Sequence, residues 1–438
     1  MERFFNLRAN GTDVKTEVIA GITTFMATLY IIVVNPAIIS ATGMPFSAVV
    51  TATILVSAFS SIMMGIYAKN PIVVAPGMGI NAFFTYTVVL GMGVEWPVAL
   101  GAVFWSGIVF LLLSIYNVRT AIANAIPPQI RAAVAAGIGI FITFVGLENA
   151  KFVVADPNTL VTFGGLNTIT ATFLVGLLFT AWLVLRNISG ALILGVLFTT
   201  LLALPIGRLW GDATQFFGSA TIVNFNGWVA APDFSLLFSL DLVHSFSLAM
   251  LPVIFVMLFA DLFDSLSTFI GVAEAADLKD AAGEPRNIKE ALLVDALSTT
   301  VSGLFGTSAG SSFIESAAGI KEGGRTGLTA VVAGLCFLPF MFLSPLLSMV
   351  PPIATAPALV MVGVFMMTPI AKIEWQRYDE AVPAFLAIIL TPLTYSITHG
   401  IVWSLIGWSV LKLLSGQRDK ISPTLVGLNI FAVFILLI

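Results

Sequence analysis

Charge is what this chain has least of. Only 10% of its 438 residues are Asp, Glu, Lys or Arg, against 58% hydrophobic residues, and mean hydropathy is +1.03. Soluble domains carry roughly 25% charged residues, so a folded body of this size lacks the polar surface to stay in water, and no nucleic-acid partner is expected. Cysteine is scarcer still. The single Cys336 lies in an apolar run, which excludes an internal disulfide and argues against a cysteine metal cluster; no metal site is expected. Of two histidines, His244 sits at an outer edge and His399 at a hairpin turn, where both read as polar ends rather than proton carriers. The opening MERFFNLRANGTDVKTE has no apolar core or small-residue cleavage site, so no secretory signal is expected. A formal net charge of −4 says little, because distribution matters more in a membrane.

Long apolar runs are what the chain does have. They fall at about 18–40, 46–67, 72–91, 97–117, 130–150, 168–186, 189–206, 245–271, 288–305, 308–320, 326–349, 353–371, 382–397 and 399–414, with an apolar tail at 421–438. The reading is an all-α polytopic membrane protein of fourteen spans. With the N-terminus cytoplasmic, seventeen of nineteen Lys and Arg residues, among them Arg119 and Lys279, fall inside, and only Lys151 and Arg208 outside. One miscounted span would scatter every later charge. The longest polar interruption, 207–243, is too short for an extramembrane domain. The tail's placement stays open between a span and an interfacial helix.

Fourteen spans invite division into two sevens: 1–206, a connection at 207–243, 244–415, and the tail 416–438. Two segments fit badly as ordinary spans, the third and the tenth, one in each half. They are NPIVVAPGMGINAFFTYTVVLGMG (70–93) and GLFGTSAGSSFIESAAGIKEGG (303–324). Aligned without a gap, Pro76 meets Gly310, Ile80 meets Ile314 and Asn81 meets Glu315. Each reads as an extended piece, a Gly/Ser break that includes Gly310 and Ser311 in the second, and a short helix starting near the midplane. The plain alternative is that these glycines only allow close helix packing. Paired breaks in corresponding positions of inverted halves point instead to a transporter binding site, and broken backbone at membrane depth requires surrounding protein or a water-filled cavity.

Only Asp261, Asp264, Asp295 and Glu315 lie well inside spans, and no Lys or Arg is deep enough to pair with them. A mid-membrane carboxylate costs about 2.5–3.5 kcal/mol on the lenient insertion scale, so each is a functional candidate. On a helix, Asp261, Asp264, Ser265 and Thr268 share one face, while Phe259, Leu262, Phe263 and Leu266 form an apolar one. The aspartates could instead cap backbone elsewhere in the bundle. SFIE (312–315) matches a capping box, a role Glu315 can hold while still meeting a ligand. Asn81 offers an amide donor and acceptor, and Phe83 or Phe84 could form a flat apolar wall or simply pack. Asp295 weighs toward structure, bonding Ser298 or Thr299 nearby or a neighbouring span.

Carboxylates accept hydrogen bonds, so such a cavity favours neutral or cationic solutes rich in N–H. Two nearby carboxylates in low dielectric oppose each other's ionisation, which makes one a plausible proton carrier. The residues alone reach cation- or proton-coupled uptake of a small polar solute.

GTDVKTEVIAGITTF (11–25), NPIVVAPGMGINAFF (70–84), FADLFDSLSTFIG (259–271) and IESAAGIKEGGRTGLTA (314–330) carry a resemblance. Through them the chain resembles, from about residue 2 to 415, the azaguanine-resistance-type purine permeases of the nucleobase–cation symporter and nucleobase–ascorbate transporter superfamily. That resemblance implies the fold of the bacterial uracil permease, with spans 1–4 and 8–11 as core and spans 5–7 and 12–14 as gate. It implies proton-coupled import of adenine, guanine or hypoxanthine across the cell membrane by alternating access, with no cofactor beyond the coupling proton, and it admits a homodimer. By position in the family motifs, Asn81, Asp261 and Glu315 would contact or support the purine, and Asp264 would couple the proton together with Glu315.

Three rivals have their own signatures. An anion or other small-solute carrier of the same architecture would need a cationic or dipole-only site. An intramembrane aspartyl protease needs aspartates on two facing spans, whereas Asp261 and Asp264 share one helix and no GxGD is present. A scaffold would tolerate alanine at Asp261 and Glu315.

Overall fold

The computed structural model describes residues 2–115, 126–276, 278 and 285–437. Arg119 and Lys279 of the charge pattern lie outside the described residues. Among the described residues, nine helices are long and apolar enough to cross a membrane, from Val14–Thr42 to Ile397–Leu414. The other five expected spans fall short of that measure for separate reasons. The two broken segments begin as strands, Val74–Pro76 and Gly310–Ser312. Ala191–Ala203 has 13 residues, and Tyr378–Leu393 has 16 with Pro383 and Pro392 inside it. Ile288–Phe305 reaches 18 residues but carries Lys289, Glu290 and Asp295.

Extended pieces were expected in the two broken segments, but paired strands were not. One pair is an exposed hairpin, Val153–Asp156 with Leu160–Phe163, turned by Asp156 Oδ1 accepting from the amides of Asn158 and Thr159 at 2.8 and 2.9 Å. The other pair is central. Val74–Pro76 and Gly310–Ser312 run antiparallel, with Pro76 opposite Gly310. The amide of Gly77 donates to the Ala309 carbonyl and that of Phe313 to the Val73 carbonyl, each at 2.9 Å. Unwound backbone inside a membrane must find partners in protein, and each broken segment supplies them for the other. Pro76 has no amide to donate and stands at the end of its strand, where none is needed. Past the strands, the first segment continues as the helix Met78–Ala82 and wider helical turns over Phe83–Gly91; the second continues as Ile314–Ser316 and Ala317–Lys321.

The helices pack in two groups. In the first, Val14–Thr28, Phe46–Met63, Trp96–Ile115, Leu251–Ala276, Ile288–Phe305 and Gly327–Phe337 pack together, with Phe46–Met63, Leu251–Ala276 and Ile288–Phe305 against the crossed strands. In the second, Pro128–Asn149, Thr168–Leu185, Ala191–Ala203, Pro352–Met366, Tyr378–Leu393 and Ile397–Leu414 pack on one another. Met78–Ala82 meets Pro128–Asn149 across the boundary, and the Thr87 hydroxyl donates to the Tyr395 carbonyl. Close approach inside the first group depends on Gly65, whose added Cβ would lie 2.7 Å from Val331 Cγ2 and strike the Gly327 carbonyl. The C-terminal helix Pro423–Leu437 lies on Ile397–Leu414, with Asn429 Nδ2 donating to Ser409 Oγ at 2.7 Å.

Candidate functional site

Asp264 and Asp295 bond the second crossed strand, Glu315 lies in the turn that follows it, and Asp261 reaches it through Thr299. Leu251–Ala276 turns Asp261, Ser265 and Thr268 fully inward. On its apolar side Phe255 packs tilted on Phe259 at 4.2 Å and Phe259 meets Phe263 edge-on at 5.6 Å, and Phe255 meets Phe431 of the C-terminal helix at 4.3 Å. The polar stripe therefore faces protein, not lipid. Asp264 Oδ2 accepts from Ser311 Oγ at 2.9 Å. Ser265 Oγ accepts from the Ser312 amide at 3.2 Å. Thr299 Oγ1, from the next helix, sits 2.5 Å from Asp261 Oδ2 and 3.1 Å from the Gly310 carbonyl.

Asp295 does not bond Ser298 or Thr299, the local partners its sequence suggested. Its Oδ1 accepts from Ser312 Oγ at 3.2 Å, and its carboxyl contacts that of Asp261. Asp261 Oδ1 and Asp295 Oδ2 are both buried without a protein hydrogen donor. Asp261 and Asp295 are fully enclosed, whereas Asp264 and Glu315 keep part of their surface open.

The capping box at 312–315 does not form. Ser312 turns to Asp295, and Glu315 Oε1 accepts from Tyr30 Oη at 2.7 Å. A buried phenol 285 positions away outcompetes the local cap, because Tyr30 needs a partner once enclosed. Tyr30 was invisible as a site residue: in an apolar run one tyrosine looks like packing. Asn35 was missed for the same reason. Asn81 donates through Nδ2 to Asn35 Oδ1 at 2.8 Å. Phe83 is buried two residues beyond Asn81, and Gly310 and Ser311 lie in the ladder itself. The ion pairs among the described residues engage none of Asp261, Asp264, Asp295 or Glu315.

Acidic groups gathered without cations where two unwound segments cross inside a mostly helical, multi-pass membrane bundle define a transporter, not an enzyme. The family model described as Permease family matches residues 15–402, and the chain belongs to that family. It is 43% identical over 429 residues to adenine permease AdeP of Escherichia coli (strain K12), covering 97% of this chain and 93% of that protein. It is 40% identical over 427 residues to guanine/hypoxanthine permease PbuO of Bacillus subtilis (strain 168), covering 96% and 97%. Among solved structures, the transmembrane domain of a cyanobacterium bicarbonate transporter, BicA, shares the fold with TM-score 0.64 at 16% identity, over 89% of this chain and 97% of that one. SLC26A9 matches with TM-score 0.61 at 11% identity, over 93% and 68%.

Proposed function

We propose that this protein imports purine nucleobases (adenine, guanine, hypoxanthine) by proton symport. The observation that carries the reading is the cluster at the strand crossing. Two partly open carboxyls, Asp264 and Glu315, stand beside a buried carboxyl pair with no cation opposite, a surface suited to a flat solute rich in N–H. Near full-length identity to permeases named for adenine and for guanine/hypoxanthine supports the same solute class.

In this reading fourteen spans form two inverted sevens, and the two broken segments are the discontinuous third and tenth. The first helix group is the core, spans 1–4 and 8–11, and the second is the gate, spans 5–7 and 12–14; their separate packing supports that division. The chain sits in the cell membrane with its N-terminus in the cytoplasm, singly or as a homodimer. Asn81, Asp261, Glu315, Phe83, Gly310 and Ser311 bind or frame the purine, and Asp264 with Glu315 takes the coupling proton. Proton and purine enter between core and gate from outside. Neutralised carboxyls remove the cost of carrying bare charge through the bilayer, the core rocks, and both ligands leave into the cytoplasm. Coupling follows if purine binds the protonated carrier more tightly.

Uptake of radiolabelled adenine, guanine and hypoxanthine in cells lacking their own carriers tests this, with and without a protonophore. Wild type should accumulate purine and lose accumulation with the protonophore; Asp261→Asn and Glu315→Gln should lose competition among purines. Protonophore-insensitive uptake rejects proton coupling, and unchanged competition in both variants rejects the site. A second reading, an anion carrier, has one observation in its favour: the fold is shared with a bicarbonate transporter. Bicarbonate or sulfate uptake blocked by purines would favour it.

A further inference from the structure

Asn81 is fully buried, yet only half of its carboxamide has a partner. Nδ2 donates to Asn35 Oδ1, while Oδ1 meets no protein donor. Which half is left free is decided two side chains away. Thr53 commits its one hydroxyl proton to the Val49 carbonyl at 2.6 Å, so toward Asn35 it can only accept. Asn35 Nδ2 therefore points to Thr53 Oγ1 at 2.7 Å, and it also reaches Thr307 Oγ1 at 2.9 Å. Asn35 must turn Oδ1 toward Asn81, and Asn81 must answer with Nδ2. Flipping either amide alone would set donor against donor or acceptor against acceptor.

We infer that Asn35, through this relay, fixes Asn81 as a hydrogen-bond acceptor for the solute, so the site selects amine-bearing purines over analogues that lack the amine. The inference rests on the purine-carrier reading and deepens it. Other groups agree in polarity. The hydroxyls of Ser311 and Tyr30 are given to Asp264 and Glu315, so neither hydroxyl competes as a donor to the solute. Thr85, one turn past Asn81, has an unpartnered hydroxyl that can donate or accept and so imposes no polarity. Asn35 is a positioning residue: it acts on the solute only through Asn81.

The experiment is competition against radiolabelled adenine uptake in cells without other purine carriers. Two competitor pairs differ by an exocyclic amine: guanine against hypoxanthine, and adenine against unsubstituted purine. Leaving a buried acceptor unmet should weaken the amine-free member of at least one pair about tenfold or more in the wild type. Asn35→Ala should shrink that gap to about threefold or less, and Asn35→Asp, which still accepts from Asn81 Nδ2, should keep it. If Asn35→Ala does not reach the membrane, Asn81→Leu, which removes the acceptor itself, should lose the gap. A role in folding alone would depress uptake with the gap unchanged, and that result overturns the inference. So does a wild-type gap below about threefold in both pairs, as a water-filled acceptor would give. Wild-type cells taking up no labelled purine would overturn the carrier reading itself, a separately visible failure.

Discussion

Replacing Glu17 by alanine removes a fully buried carboxylate that caps a helix from another part of the chain. Glu17 Oε1 accepts from the amides of Arg325 and Thr326 at 2.8 and 3.2 Å, and Oε2 from the amide and hydroxyl of Thr329 at 3.2 and 2.6 Å. Those amides open the helix Gly327–Phe337, whose N-terminus also favours negative charge. Each stranded buried donor costs about 1–3 kcal/mol, but the Thr329 hydroxyl can turn to the Glu17 carbonyl at 3.5 Å and Arg325 is partly open to water. The net loss for Glu17→Ala is therefore about 3–5 kcal/mol, and Glu17→Gln, which keeps one acceptor, should lose about half of that. Denaturant unfolding of detergent-purified protein, followed by tryptophan fluorescence, reads both. If Glu17→Ala unfolds within about 0.5 kcal/mol of wild type, or Gln proves worse than Ala, the reasoning fails.

Tyr30→Phe keeps the ring but strips Glu315 Oε1 of its donor; uptake should fall about tenfold with normal amounts of protein in the membrane, and unchanged uptake would remove Tyr30 from the site. In Gly77→Ala the new Cβ would lie 2.6 Å from Ser311 Oγ, pushing that hydroxyl off Asp264. Uptake should drop, and adding Ser311→Ala should return thermal stability to that of Ser311→Ala alone; additive losses would refute the contact. Lys412 is fully buried against Asp379 and Glu380, the latter at 2.7 Å. Lys412→Met should cost about 3–5 kcal/mol in denaturant unfolding, with Lys412→Met/Glu380→Gln costing less, because the single change leaves the buried Glu380 with only Arg377, at 3.8 Å, as a cation.

Membrane class and the importance of the two breaks were legible because both are written in local composition. Pro76 and Gly310, equated by the ungapped alignment, stand opposite each other in the ladder. Span number was less legible, since length and charge of single helices such as Ile288–Phe305 do not say whether neighbours complete the crossing. Partners were the least legible. Glu315 matched a cap four residues long but bonds a tyrosine from the first helix run, and Asp295 reaches past its near neighbours to Ser312. Local motifs compete with tertiary partners that no window of sequence contains. Asn35 and Tyr30 could not be separated from ordinary packing until the fold brought Asn81 and Glu315 to them.

The crossed strands tie residues some 240 positions apart by backbone bonds at both ends of a five-residue overlap, Gly77 to Ala309 and Phe313 to Val73. A clasp of this kind denies either half-helix an independent stroke. Under the proposed alternating access, a displacement that keeps these bonds would lift both half-helices as one cradle, and a solute held between them would travel without its handholds parting until the cradle reaches the far water.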